Sequence, residues 1–368
     1  MTHASAPESR TYPESRPVLI MAGGTGGHIF PGLAVAEVLR ARGVPVAWLG
    51  AAGGMETKVV PAHAIELHTV PVGGLRGKGW KTRALAPLML ARALLASLAV
   101  LRRVKPRSVL SMGGYAAGPG GVAARLLGRP LLVHEQNGVA GYTNRKLAAH
   151  ARRVLAGFAG VLPQAEWVGN PVRAAIAALP PPAERMAVRD GTPHLLVLGG
   201  SLGARALNLA VPQALAQLPA ERRPTVLHQC GARGLDEARE AYAQAGVDAE
   251  VLPFVDDMAA AYARADLVVC RAGALTVAEL AAAGVGALLV PFPHAVDDHQ
   301  TRNAETLLAA GAAELIQERD LDITQLARRL DALLHDRTRL RALAEAARTL
   351  AKPDAAATIA DACLEVAA

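Results

Sequence analysis

Cysteine is scarce in this sequence of 368 residues: Cys230, Cys270 and Cys363 are widely separated and show no metal-ligand spacing. A disulfide framework is excluded, and the chain reads as a protein of a reducing cytoplasm. Aromatic residues make up only 3%, too few to interleave a stacking surface, and no helix-turn-helix or zinc pattern occurs, so nucleic acid is not an expected partner. The polar residues 1–16 lack an apolar core and carry Pro7 and Pro13; they are expected to be a flexible segment, neither signal peptide nor anchor. Two nucleotide signatures are missing as well. The first glycine cluster is not G-x-G-x-x-G with a carboxylate at the end of the next strand, which disfavours a strict dinucleotide fold. No G-x-x-x-x-G-K followed by Ser or Thr occurs, which disfavours a P-loop kinase.

What is present is a glycine turn used repeatedly. Met21–His28 reads MAGGTGGH and Leu198–Arg205 reads LGGSLGAR, each after an apolar run, Val18-Leu19-Ile20 or Leu195-Leu196-Val197-Leu198, and each opening into an amphipathic stretch. Glycine permits positive φ and close backbone approach, and Thr25 or Ser201 with the free N–H groups of a helix start favours an anion, so a phosphate is the expected occupant. A third cluster runs through Met112-Gly113-Gly114-Tyr115 to Gly120-Gly121.

Strand-like and helix-like runs alternate through the first half: Val18–Met21 then Pro31–Ala41, Val46–Leu49 then Glu56–His63, Val109–Met112 then Gly121–Leu127, Leu131–His134 then Asn144–His150. The second half repeats the pattern at Leu195–Leu198, Thr225–Gln229, Ala249–Pro253, Leu267–Cys270 and Ala287–Val290. This is the grammar of an α/β protein with doubly wound parallel sheets. A boundary is expected near Gly169-Asn170-Pro171, followed by Pro180-Pro181-Pro182. The expected division is an N-terminal domain over 17–172 and a C-terminal domain over 173–350, and ligand sites lie beyond the carboxyl ends of the strands, where the glycine turns fall.

Charge is divided unevenly. Residues 1–172 hold 20 Lys and Arg against 7 Asp and Glu, whereas residues 173–368 hold 19 against 25. Arg76, Lys78, Lys81, Arg83, Arg92, Arg102, Arg103, Lys105 and Arg107 follow one another with no acid between them. Within that run lies the apolar stretch Leu85–Leu101, nearly long enough to span a bilayer, but Arg92 would sit near mid-membrane and Pro87 interrupts its first turns. Two readings stay open: a helix lying on an anionic membrane surface through the patch 75–107, with about 1 kcal/mol from each basic residue, or a core helix with a solvated basic rim.

Several of these segments together resemble a known family. Ala22–His28 with Pro31-Gly32-Leu33-Ala34, Gly74-Leu75-Arg76-Gly77-Lys78-Gly79, Gly113-Gly114-Tyr115, His134-Glu135-Gln136-Asn137 and Gly169-Asn170-Pro171-Val172-Arg173 are similar to motifs of the MurG family of N-acetylglucosaminyltransferases, glycosyltransferase family 28. Phe254-Val255-Asp256-Asp257-Met258, Arg271–Glu279 and Gln300–Asn303 resemble that family's donor site. The resemblance runs in order along nearly the whole chain. It implies the GT-B architecture, two Rossmann-like domains with a cleft between them, and a last helix, roughly residues 351–368, that crosses back onto the N-terminal domain.

The same resemblance implies conversion of lipid I to lipid II in bacterial cell-wall synthesis. N-acetylglucosamine would pass from UDP-GlcNAc, with inversion, to the C4 hydroxyl of MurNAc in undecaprenyl-pyrophosphoryl-MurNAc-pentapeptide. No cofactor and no active-site metal are implied. Expected partners are UDP-GlcNAc, lipid I, the anionic inner-membrane surface and cell-wall synthesis proteins, with a peripheral location on the cytoplasmic face of the inner membrane.

Such a transfer needs a base for the acceptor hydroxyl on one side and neutralisation of departing UDP on the other. Arg173 and N–H groups at helix starts are available in place of a divalent cation, with Ser201 and its turn serving the diphosphate. His28 is the candidate base, since imidazole titrates near neutrality; hydrogen bonding or capping is its other reading, and Glu135 and His134 are competitors or supports. Thr276-Val277-Ala278-Glu279 reads as a capping box, while the resemblance gives Glu279 the ribose hydroxyls of UDP and keeps Thr276 as the cap. It also gives the backbone at Val255 the uracil ring, and gives Gln300, with Asn303 nearby, the hydroxyls of the transferred sugar. Ala274, Leu275, Val277 and Ala278 complete the donor segment, and Thr25, Gly26, Gly27 and Asn137 lie near sugar and acceptor. Two positions depart from the pattern. Leu202 stands where the family turn has glutamine, and the loop Pro293–Gln300 is one residue longer than in some relatives, so that Gln300 aligns and His299 does not. The alternatives are a UDP-GlcNAc 2-epimerase of the same fold, which needs neither the basic patch nor the Gly74–Gly79 loop, and a non-catalytic basic binding protein.

Overall fold

Alternate residues of Val18–Ala22 (β1) enter different hydrophobic clusters. Val18, Ile20 and Ala22 join one, with Ile29, Leu33 and Leu39, while Leu19 and Met21 join another, with Leu101, Ala117 and Ala124. A strand covered on both faces must be apolar at every position, which is why it reads as an unbroken run. The computed structural model describes residues 16–72, 80–187, 189, 191–200 and 203–367. They form two units: one of residues up to Gln136 with Ala140–Pro171 and the segment from Asp354, the other of Asn137–Val139 with Val172–Pro353.

In the first unit β1 is followed by α1 (Gly26–Ala41), β2 (Val46–Ala51), α2 (Glu56–Ala62), β3 (Glu66–Val70), α3 (Trp80–Val104), β4 (Ser108–Gly113), α4 (Ala117–Leu126), β5 (Leu131–Glu135), α5 (Tyr142–Ala148), β6 (Arg153–Ala156) and β7 (Glu166–Trp167). All seven strands are parallel, in the order β3-β2-β1-β4-β5-β6-β7. The chain leaves β1 in one direction toward β3 and returns on its other side through β4. The crevice at the carboxyl ends of β1 and β4 is therefore the topological switch point. Trp48 braces it: the indole Nε1 donates to the carbonyl of Ala22 at 2.9 Å, and a Cβ on Gly32 would lie 2.7 Å from the ring.

The second unit runs through α6 (Ala174–Ala177), α7 (Pro182–Ala187), β8 (His194–Leu198), α8 (Arg205–Ala216), β9 (Thr225–Gln229), α9 (Leu235–Ala245), β10 (Glu250–Leu252), α10 (Met258–Arg264), β11 (Leu267–Cys270), α11 (Ala274–Ala283), β12 (Gly286–Leu289), α12 (His299–Ala309), β13 (Ala313–Leu315), α13 (Ile323–Leu334) and α14 (Arg337–Thr349). Its six parallel strands take the order β10-β9-β8-β11-β12-β13, so the switch point lies between β8 and β11. The last helix, α15 (Ala355–Glu365), belongs to the first unit. Its Ile359, Ala360, Cys363 and Leu364 are buried in the cluster that holds α1, and Ser108 Oγ donates to the carbonyl of Cys363 at 2.7 Å.

The two parallel sheets expected from the alternating runs are present. The helix expected from Pro31 begins five residues earlier, at Gly26. Four strands were not anticipated, β3, β6, β7 and β13, all of them short or carrying polar residues toward the edges of their sheets. The long apolar helix α3 buries Ala93, Ser97 and Leu101, one residue per turn, with Leu101 in the cluster of Leu19 and Met21, while Leu85, Leu88, Met89, Leu90 and Leu95 are exposed. Five large apolar side chains of one helix are thus left in solvent. The neighbouring α4 adds exposed Val122 and Leu126.

Candidate active site

The first glycine turn holds an anion of the protein's own. Glu56, at the start of α2, is fully buried; its Oε2 accepts from the N–H of Gly24 at 3.2 Å and its Oε1 from the N–H of Ala51 at 2.7 Å. A Cβ at Gly23, Gly50 or Gly54 would come within 2.2, 2.5 or 2.3 Å of that side chain, so three of the glycines make room for a carboxylate. The N–H of Gly24 is therefore taken by Glu56, whose charge opposes an anion placed directly beside it. Gly24 itself has φ +90°, which only glycine adopts without strain.

His28 lies in the first turn of α1, half-buried. Its Nδ1 stands 3.2 Å from the carbonyl of Gly23 and 3.5 Å from Thr25 Oγ1. A carbonyl can only accept, so this geometry suits the tautomer with the proton on Nδ1, in which Nε2 is the acceptor nitrogen. Thr25 makes no side-chain cap to α1. Gly26 and Gly27 form the first two positions of that helix. Gly113, with φ +102°, runs beside the His28 ring, and a Cβ there would lie 3.2 Å from Nε2.

The competitors of His28 occupy a different environment. His134 is fully buried at the end of β5; Nε2 donates to the carbonyl of Gly169 at 2.9 Å and Nδ1 accepts from Gln136 Nε2 at 3.0 Å. Burial pushes its pKa down to about 4, with the Gly169 bond acting the other way. Such an imidazole stays neutral and structural. Glu135, 1% exposed, accepts from the N–H of Gly141 and from Asn144 Nδ2, both at 3.1 Å. Asn144 in turn accepts from Ser111 Oγ at 2.9 Å and donates to the carbonyl of His134 at 3.0 Å, so this network ties the ends of β4 and β5 to α5.

In the second unit the turn after β8 is clamped by an amide. Gln229, the last residue of β9, accepts from the N–H of Gly200 at 3.0 Å and donates to the carbonyls of Gly200 and Pro253 at 3.1 and 2.9 Å. Ser201 and Leu202 lie outside the described residues, as do the Gly74–Gly79 loop with Arg76 and Lys78.

Across the switch point, α11 starts after Gly273. The expected capping box is not formed: Gly273 is the N-cap, Thr276 already lies at the third helical position, and no side chain caps the helix. Glu279 instead accepts from the Tyr262 hydroxyl at 3.1 Å and lies 3.5 Å from Arg173 Nε. Burial raises the carboxyl above its ordinary range, while Arg173 and the Tyr262 hydroxyl pull it back. Of the neighbouring residues, Ala274 and Val277 are buried, while Leu275, Thr276 and Ala278 are partly exposed.

The remaining expected residues are engaged within the protein. Gln300 Oε1 accepts from the N–H of Phe292 at 2.9 Å. Asn303 is buried; Nδ2 donates to the carbonyl of Ala272 at 3.0 Å and Oδ1 accepts from the N–H of Gly138 at 2.6 Å. Asn303 thus fixes the strand end that precedes α11, with one bond at each end of its amide. Asn137 and Val255 are half-buried in loops, the latter beside exposed Phe254. Among the described residues no group of three or more His, Cys, Asp or Glu is placed to hold a metal.

Glu56, Tyr262 and Gln229 were not anticipated. Glu56 is separated from Gly24 by 32 residues and Tyr262 from Glu279 by 17. The one available signal was the density of glycine around Glu56, at Gly50, Gly53 and Gly54, which marks a close approach.

Comparison with known proteins agrees with this architecture. Residues 18–156 match the description "Glycosyltransferase family 28 N-terminal domain" and residues 194–359 match "Glycosyltransferase family 28 C-terminal domain". The UDP-N-acetylglucosamine–N-acetylmuramyl-(pentapeptide) pyrophosphoryl-undecaprenol N-acetylglucosamine transferase of Xanthomonas campestris pv. campestris (strain 8004) is 62% identical over 350 residues, 95% of this chain and 82% of its own length. The crystal structure of Acinetobacter baumannii MurG superposes with a TM-score of 0.85 at 40% identity, over 95% of this chain and 99% of that one. A UDP-GlcNAc 2-epimerase from Neisseria meningitidis, 12% identical with a TM-score of 0.64 over 95% of this chain and 100% of that one, shares the fold alone. With both halves matched and a relative of this identity over most of its length, the chain belongs to the MurG family of glycosyltransferase family 28.

Proposed function

We propose that this protein transfers N-acetylglucosamine from UDP-GlcNAc to the C4 hydroxyl of MurNAc in undecaprenyl-pyrophosphoryl-MurNAc-pentapeptide, converting lipid I to lipid II with inversion at the anomeric carbon. The observation that carries this reading is 62% identity over 95% of the chain to a transferase named for that donor and acceptor. The epimerase reading has only a shared fold behind it.

The chemistry divides between the two switch points. In the first unit, His28 presents an unprotonated Nε2 because Nδ1–H is committed to the carbonyl of Gly23; Nε2 takes the proton of the C4 hydroxyl as that oxygen attacks the anomeric carbon. The buried neutral His134 and the doubly bonded Glu135 hold the ends of β4 and β5 and are set aside as bases. In the second unit, Glu279 accepts from the ribose hydroxyls of UDP. The diphosphate belongs at the N-terminus of α11 and the Gly199–Gly200 turn, where helix N–H groups and Arg173 offset the charge that grows as UDP leaves. Glu56 makes the first turn the poorer phosphate site of the two. Gln300 at the start of α12 faces the sugar by its place in the family pattern, and Val255 the uracil.

The exposed apolar side chains of α3 and α4, with exposed Arg92, Arg102 and Arg103, suit insertion into the headgroup region of an anionic bilayer. By length and composition Leu85–Val104 also suffices to cross a membrane. The stripe Ala93, Ser97 and Leu101 packed into the first unit favours lying on the surface. On this reading the protein works at the periphery of the inner membrane, on its cytoplasmic face, where lipid I presents its sugar.

The test is transfer of labelled N-acetylglucosamine from UDP-GlcNAc to a lipid I analogue, comparing wild type with His28→Ala and Glu279→Ala. A β-linked product that is lost in both variants supports the reading. Donor turnover without acceptor, or none at all, overturns it.

A further inference from the structure

The Gly23–Gly24 peptide is used from both ends. Its N–H donates to Glu56 Oε2 at 3.2 Å, and its C=O accepts from His28 Nδ1–H, also at 3.2 Å. The two bonds are in series through one amide. A carboxylate drawing on the N–H polarises the unit and increases the electron density on its oxygen, which strengthens the bond to the imidazole. The arrangement is costly to build. Glu56 is fully buried, and among the described residues no Lys or Arg pairs with it. An unpaired buried carboxylate is among the more expensive groups a fold can contain. A Cβ on Gly23, Gly50 or Gly54 would collide with that side chain, so three positions are held to glycine by it. Seating α2 against β2 would need no charge, and the bond to the N–H of Ala51 alone would serve it.

We propose that Glu56 is the positioning residue of His28: through the Gly23–Gly24 peptide it fixes the tautomer with the proton on Nδ1, leaves Nε2 as the nitrogen that receives the acceptor's proton, and stabilises the imidazolium that results. The arrangement is a carboxylate–peptide–imidazole series, with a main-chain amide standing where a direct carboxylate–imidazole bond is found in other hydrolytic and transfer sites. No proton leaves Glu56 or the peptide. During the step Nε2 gains the hydroxyl proton, the glycosidic bond forms at the oxygen, and the bond to UDP breaks. The proposal rests on the reading of His28 as base. The Gly23–Gly24 amide already has both of its hydrogen-bonding groups engaged.

Glu56→Gln keeps the shape but offers one acceptor and one N–H where the carboxylate offers two acceptors, so one backbone N–H is opposed by another donor. Transfer to a lipid I analogue is expected to lose roughly tenfold in kcat, the scale of one perturbed hydrogen bond, while KM and direct affinity for UDP-GlcNAc stay unchanged because the donor residues lie in the second unit. A merely structural Glu56 would leave the imidazole as it is. The deciding readout is therefore ¹⁵N NMR of histidine-labelled protein, with the His28 signal assigned through His28→Gln: the wild-type ring is expected in the Nδ1–H form, and Glu56→Gln shifts it toward a mixture of tautomers. An Nε2–H ring in the wild type overturns the proposal outright, including the case in which Glu56→Gln does not fold. Wild-type kcat and an unchanged ring in Glu56→Gln, with His28→Ala inactive, overturn the role of Glu56 and leave His28 as base. Full activity in His28→Ala instead removes the base reading itself.

Discussion

The Tyr262 hydroxyl donates to Glu279 Oε2 at 3.1 Å, across the gap between α10 and α11. That bond and Arg173 hold a carboxylate whose burial opposes its charge. A carboxyl raised in the folded state favours its neutral form there. Its contribution to stability is therefore greatest below the ordinary carboxylate range and is lost as pH rises through the raised folded value. Glu279→Gln removes that loss. At neutral pH and without donor, the variant is expected to melt a few degrees above wild type by calorimetry. If Glu279 binds the ribose hydroxyls as proposed, the same change should raise KM for UDP-GlcNAc by roughly 10- to 100-fold. A variant that is less stable and binds donor normally would contradict both halves.

Two histidines make each unit sensitive to acid. His134 in the first unit and His228 in the second are both pushed to about 4 by burial. His228 accepts from the Tyr242 hydroxyl at Nδ1, 3.0 Å away, and donates from Nε2 to Asn208 Oδ1 at 3.1 Å. A histidine depressed in the folded state contributes stability that is present above its unfolded value of 6.5 and is lost as pH falls toward 4. The loss is roughly 3 kcal/mol for each residue. Thermal unfolding followed from pH 7.5 to 4.5 should show this decline, and His228→Gln should flatten it for the second unit alone. A pH-independent melting temperature over that range would refute the assignment.

Much of this fold could be read from the residues, and the reason is local. β1, β8 and β11 are buried on both faces, so their apolar runs are unbroken, and the bounds expected for β9 and β11 match the observed ones. β3 and β13 sit at sheet edges, where one face need not be apolar, and Glu66, Thr69 and Glu314 interrupt the pattern. Of the proposed site residues, His28 was legible beside the glycine turn after β1, and Glu279, Gln300 and Val255 through the family motifs. Glu56, Tyr262 and Gln229 act through pairings that arise from packing between elements, and no spacing announces them. The capping box at Thr276 failed because α11 starts three residues earlier than that motif requires, leaving Glu279 for Tyr262.

The exposed face of α3 gives a prediction for the membrane. Leu88 and Leu95 are 69% and 67% exposed, and burying a leucine is worth about 2 kcal/mol. Leu88→Glu with Leu95→Glu removes that gain and adds two charges repelled by anionic lipid. Binding to phosphatidylglycerol vesicles in a flotation assay should fall at least about tenfold, with transfer to a water-soluble acceptor analogue unchanged. Vesicle binding equal to wild type would count against the surface reading.

Gly24 and Gly114 provide a matched pair at the first switch point, because both have φ +90°. An alanine at either position meets the same intrinsic backbone strain, about 1–2 kcal/mol. Their surroundings differ: nothing lies within 4 Å of a Cβ on Gly24, whereas a Cβ on Gly114 would lie 2.4 Å from the carbonyl oxygen of Gly23 and 3.0 Å from its nitrogen. That neighbour is backbone and cannot rotate away, so the turn itself must move. The oxygen in question is the one that accepts from His28 Nδ1. Gly24→Ala should therefore cost stability while leaving most of kcat. Gly114→Ala should cost at least about 2 kcal/mol more and lower kcat by more than tenfold through the displaced imidazole. Equal effects of the two substitutions on transfer would mean that the position of the Gly23 carbonyl does not govern the base.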